Sequence, residues 1–205
     1  MSKDILDYAL YTMQTGHRPI SSFVDVFQHL AKSLVSQLDA IEKESGTTRS
    51  EGLQIALSDT AILMTYSLVE GFFSEEYQFY FEKEPPRKQT LEETIQELLS
   101  HIGASADEQI KKGMSLLPVL RASRNAIAHR NGRLKETEKS KIQRYFGSRM
   151  CVRRGYPVAD ISLVFDILHS ASELISGFGY AAVDAATAAQ QSAQADGPAS
   201  GGPSA

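Results

Sequence analysis

Apolar residues return every three or four positions along almost the whole chain, and this spacing constrains the fold more than any other feature. Ile5, Tyr8, Ala9 and Met13 mark one face of a helix that ends at Gly16. After Arg18-Pro19 a longer stripe runs through Phe23, Val26, Phe27, Leu30, Leu34, Leu38 and Ile41, with Ser21 or Ser22 as its expected N-cap. Ser45-Gly46-Thr47-Thr48 reads as a break. Residues 50–83 are apolar on most sides, which predicts a central helix, and Glu84-Pro85-Pro86 ends it. Thr90 with Glu93 forms a capping box that opens a fourth helix reaching about His101. A fifth helix is expected over about 105–112, interrupted by Gly113. A sixth is expected from Leu116 to Arg130, with Pro118 in its first turn and Asn131-Gly132 as its stop. Residues 135–146 form a weaker, charged candidate. Met150 to Ile161 reads equally as an irregular loop or a short hairpin. A last helix over 162–180 carries Leu163, Val164, Ile167, Leu168, Ala171, Leu174 and Ile175 on one face.

The expected fold class is therefore all-α, a single helical bundle over residues 1–183. Past Ala185 the composition narrows to Ala, Gln, Ser, Gly and Pro, so residues 184–205 read as a disordered tail. With 205 residues and 42% apolar content the chain is large enough for one sizeable core. Its mean hydropathy of −0.24 is that of a water-soluble chain, and no run approaches the roughly 20 apolar residues of a membrane-spanning helix. Met1-Ser-Lys-Asp leads straight into an amphipathic segment without the design of a signal peptide, so the expected location is cytoplasmic. A single cysteine, Cys151, excludes an intramolecular disulfide and a cysteine zinc cage.

A net charge of −4 speaks against a nucleic-acid partner until the charge is mapped along the chain. Between Arg121 and Arg154 lie eleven basic residues and only two acidic ones, Glu136 and Glu138, a formal +9; the rest of the chain carries −13. A solvated basic face balanced by acidic helices accounts for this segment. An electrostatic site for phosphates accounts for it as well.

Most catalytic signatures are missing: no phosphate-binding G-x-x-x-x-G-K-[ST], no dinucleotide glycine fingerprint, no H-E-x-x-H and no G-x-S-x-G. The five histidines, at 17, 29, 101, 129 and 169, include no pair at helical i, i+4 spacing, so a helical histidine metal site is not supported. One string remains, Arg124-Asn125-Ala-Ile-Ala-His129-Arg130-Asn131-Gly132, late in an apolar helix and inside the basic segment. Asn125 and His129 share a helix face, while Arg124 sits about 140° from His129, within reach of its long side chain. Histidine exchanges a proton near neutral pH. Arginine holds a phosphate in a bidentate fork and offsets charge developing in a transition state. These are tools for phosphodiester chemistry without a metal.

This string resembles the signature of the HEPN superfamily, small all-α domains with an Arg-x(4–6)-His motif in which Asn, Asp or His commonly follows the arginine, as Asn125 does here. A second, less specific match is Met64-Thr-Tyr-Ser-Leu-Val-Glu70-Gly-Phe-Phe73, similar to the family helix that holds an acidic residue facing the motif. Together they cover about residues 50–180. The resemblance implies a metal-independent ribonuclease with no cofactor, in which two protomers pair their motifs across a shared cleft. RNA is then cut by its own 2′-hydroxyl, leaving a 2′,3′-cyclic phosphate. On that reading His129 handles the proton, Arg124 holds the phosphate, Asn125 orients substrate or His129, and Glu70 supports the pair. Arg121, Arg130, Asn131 and Arg133 are candidate RNA contacts. Many such proteins are toxins or phage-defence effectors, some paired with a nucleotidyltransferase antitoxin.

Structural readings stand beside these. His129 at a helix end can simply complement the helix dipole, and Arg124 can pair with Glu70 to satisfy a polar group. The aromatic residues from Tyr66 to Phe81 suit a core and a dimer interface. A non-enzymatic helical module that binds a protein, a nucleotide or RNA fits the same residues, as does RNA binding without cleavage through Arg133 to Arg154.

Overall fold

The structure is a computed structural model that describes residues 3–45, 50–129, 133–153 and 156–195. Its elements are α1 (Lys3–Thr15), α2 (Arg18–Ser45), α3 (Ser50–Phe81), α4 (Leu91–Ile102), α5 (Glu108–His129), α6 (Glu136–Phe146), β1 (Met150–Arg153), β2 (Tyr156–Ala159) and α7 (Ile161–Ala195). Helices dominate, as the periodicity demands. None of the described helices is long and apolar enough to cross a membrane.

Central α3 packs against α4, α5, α7 and the hairpin. Its buried side chains include Ile62, Tyr66, Val69, Phe73 and Tyr77. Phe73 meets Phe178 of α7 edge to face at 5.3 Å, and Phe72 closes the cluster at 4.9 and 6.1 Å from the same rings. Each such ring taken from water contributes about 1.5–3 kcal/mol, and edge-to-face geometry adds to it. Leu117 and Leu120 of α5 and Leu168 and Leu174 of α7 complete the same core.

Expected and observed elements differ in three places. The fifth and sixth helices are one helix, α5, which runs through both Gly113 and Pro118. Gly113 is not a break: a Cβ there would lie 2.5 Å from Leu174 Cβ, so the missing side chain is what lets α5 cross α7 closely. α2 begins at Arg18 rather than after Ser21 or Ser22, with Ser21 N–H already bonded to the His17 carbonyl at 2.9 Å. Pro19 fits that first turn because the missing N–H has no partner there in any helix.

The stretch 150–159 is a hairpin, with Met150 opposite Ala159 and Arg153 opposite Tyr156. Ala159 N–H donates to Ser58 Oγ at 3.0 Å in the core, tying β2 to α3, so the fold is helical with one two-stranded sheet. The tail starting at 184 is the third correction: α7 continues to Ala195, and Ala182 and Ala186 are buried. Alanine is the strongest helix former, so an Ala-rich run extends the preceding helix where its small side chains find a surface. Residues 196–205 of that expected tail lie outside the described residues.

Thr90 and Glu93 form the capping box as read: Thr90 N–H donates to Glu93 Oε2 at 2.7 Å, and Gly103, at φ +74°, closes α4 in the left-handed region.

Candidate functional site

The Arg-x4-His string occupies the last two turns of α5. Leu120, Ser123 and Ala126 face the core and are fully buried. Helical geometry therefore holds Arg124 and Asn125 at the half-buried margin and leaves Ala128 and His129 exposed. Arg124 Nη1 donates to Asn125 Oδ1 at 3.0 Å. Its guanidinium carbon lies 5.7 Å from the Tyr66 ring centroid, within reach of a cation–π attraction. A long, entropy-rich side chain is thus held from two directions, which reduces the ordering cost of any anion it meets. His129 ends the helix on the solvent side, and its imidazole makes no hydrogen bond among the described residues.

Tyr66, which the sequence assigns to a core and a dimer interface, is the residue that joins the motif from another helix. It is buried, and burial pushes its phenol up to about 12, with Glu70 and Glu92 adding to the rise and Arg121 and Arg124 opposing it. The phenol stays protonated and neutral at any working pH. It is also the point where four charged side chains converge electrostatically. One signal was available: Tyr66 precedes Glu70 by one helical turn, so both stand near the same edge of α3.

Glu70 is exposed and lines a shallow groove with Ser74, Gln78 and Pro85. It forms no ion pair with Arg124 among the described residues and reaches the motif only through the field at Tyr66. Arg121 is engaged, its Nη1 3.3 Å from Glu92 Oε2. Arg133 is exposed. Arg130 and Asn131 lie outside the described residues.

The basic segment is partly neutralised by folding. Arg149 reaches Asp166 at 2.8 Å and Asp160 at 4.0 Å, and Lys139 pairs with Glu136 one turn away. Arg133, Lys141 and Arg144, on the loop before α6 and on α6 itself, form no ion pair among the described residues and stay exposed. Among the described residues no three His, Cys, Asp or Glu side chains converge as metal ligands.

Compared with protein-family models, with curated proteins and with solved structures, the chain matches none.

Proposed function

We propose that the chain is a metal-independent endoribonuclease of HEPN type. One observation carries the reading: Arg124, held by Asn125 and Tyr66, and the solvent-facing His129 share the last turns of α5. On this reading a ribose 2′-hydroxyl attacks the adjacent phosphorus, His129 relays the proton toward the departing 5′-oxygen, and Arg124 offsets the charge gathering on the phosphate. The products are a 2′,3′-cyclic phosphate and a 5′-hydroxyl. Arg133, Lys141 and Arg144 would then steer the RNA backbone electrostatically. A homodimer with two motifs in one cleft, a toxin or defence role and a neutralising partner belong to the same proposal.

The test is cleavage of single-stranded RNA in EDTA. Wild-type protein cuts, and His129→Ala and Arg124→Ala, both still folded by circular dichroism, do not.

A second reading, a non-enzymatic module that binds a protein partner, draws on Val26 and Leu30. They stand one turn apart on α2 and are 67% and 51% exposed. Cleavage that depends on His129 would remove it.

A further inference from the structure

The elbow between α1 and α2 lies across α3 and leaves a groove of about 680 Å³, within the size range of small-molecule sites. The elbow approaches α3 closely: a Cβ on Gly16 would lie 2.5 Å from Phe72 Cε2 and 2.8 Å from the Thr12 carbonyl oxygen, so only glycine fits. Tyr8, Tyr11, Pro19, Ile20, Leu68 and Phe72 supply rings and apolar surface. Tyr8 is held in place by stacking on Phe79, with ring centroids 3.4 Å apart.

Glu76 lines this groove and is only 3% exposed. Its Oε1 accepts from Tyr8 Oη at 3.1 Å and from Thr12 Oγ1 at 3.2 Å. Its Oε2 is buried and has no hydrogen-bond partner among the described residues. A carboxylate can take about four hydrogen bonds, and a buried one is costly unless a cation or donors match it. The motif on α5 does not use this group. The other charged side chains lining the groove are Glu75 and Arg18, so it presents two carboxylates and one guanidinium. That balance, with aromatic rings beside a carboxylate short of a donor, fits an organic cation.

We propose that this groove binds a small organic amine, its ammonium on the free oxygen of Glu76 and its apolar body against Tyr8, Tyr11 and Phe72. Arg18, at the start of α2, stands where an amino acid could place its carboxylate, so free amines and amino acids share the recognised chemistry.

The experiment is an NMR titration of the full ¹⁵N-labelled chain at pH 8 with phenethylamine, with phenylalanine and with uncharged 2-phenylethanol. The expected result is saturable shifts at the amides of Thr12, Gly16, Leu68 and Gly71 with at least one of the two amines, and at least tenfold weaker binding of the alcohol. Glu76→Gln weakens amine binding at least tenfold. Gly71→Leu provides a second variant: a Cβ at Gly71 meets nothing within 4 Å, so the new side chain fills the groove without disturbing the core, and it too abolishes the shifts. Binding by phenylalanine alone supports the proposal with Arg18 as the carboxylate's partner. No saturable shift with either amine, alcohol binding equal to amine binding, or undiminished binding by both variants overturns it.

Discussion

Two glycines inside long helices give opposite answers to the same substitution. Gly→Ala in a helix interior stabilises by about 1 kcal/mol through propensity and the unfolded chain, and this gain is common to both sites. At Gly71 on α3 nothing lies within 4 Å of the new Cβ, so the full gain is expected. At Gly113 on α5 the new Cβ meets Leu174 Cβ at 2.5 Å, Cγ at 3.1 Å and Cδ1 at 3.2 Å. A carbon–carbon contact relaxes to about 3.5–4.0 Å, so α5 and α7 must separate by about 1 Å or Leu174 must leave its rotamer. Overpacking of that kind costs about 1–3 kcal/mol and outweighs the gain. For a chain of this size 1 kcal/mol moves Tm by about 2–4 °C. Gly71→Ala therefore raises Tm by about 2–4 °C, and Gly113→Ala lowers it by up to about 8 °C. Scanning calorimetry of the two variants beside the parent measures both. If Gly113→Ala is stabilised as much as Gly71→Ala, the close crossing of α5 over α7 is wrong, and with it the placement of the motif at the end of α5.

Glu76 makes stability depend on pH. Burial pushes its carboxyl up to about 7, while its Tyr8 and Thr12 hydrogen bonds oppose the rise. Between its unfolded value near 4.5 and the folded value the native state binds the extra proton, so stability falls as pH rises through that window. The contribution is roughly 2–3 kcal/mol; urea unfolding at pH 5 and pH 8 measures it, and Glu76→Gln should flatten the difference. Ser58→Ala leaves the Ala159 N–H buried without its acceptor, at a cost of about 1–3 kcal/mol in denaturant unfolding. Ending the chain at Tyr180 removes buried Ala182 and Ala186 and lowers Tm, whereas ending it at Gln190 leaves Tm within about 2 °C, because the buried positions are retained. If the nuclease reading holds, Tyr66→Phe keeps the ring beneath Arg124 and retains cleavage, while Tyr66→Leu lowers kcat about tenfold through loss of the cation–π restraint.

Periodicity exposed most of the architecture because a helix must bury one stripe, and the stripes of α1, α2 and α7 are regular, while α3, apolar on most sides, declares itself as the central helix. It failed where local punctuation was overruled by packing. Gly113 and Pro118 both look like breaks in isolation, and only the position of Leu174 explains why α5 runs past the first. Ala182 and Ala186 look like low-complexity filler until a surface is there to cover them. At the candidate site, Arg124, Asn125 and His129 were legible as neighbours on one helix because their spacing is local. Tyr66 was not assigned to them, since its contact with Arg124 spans two helices far apart in sequence. The same holds for Arg121 and Glu92. The groove at Glu76 was equally hidden: its acceptor is on α3, its donors Tyr8 and Thr12 on α1, and no motif joins them.

The chemistry proposed at the end of α5 is read out by incubating a 5′-labelled single-stranded RNA with purified protein in EDTA and identifying the product ends, for wild type, His129→Ala and Arg124→Ala. Fragments ending in 2′,3′-cyclic phosphate are expected from the wild type and none from either folded variant. Cleavage undiminished in both variants, or intact RNA at every protein concentration, would contradict that chemistry.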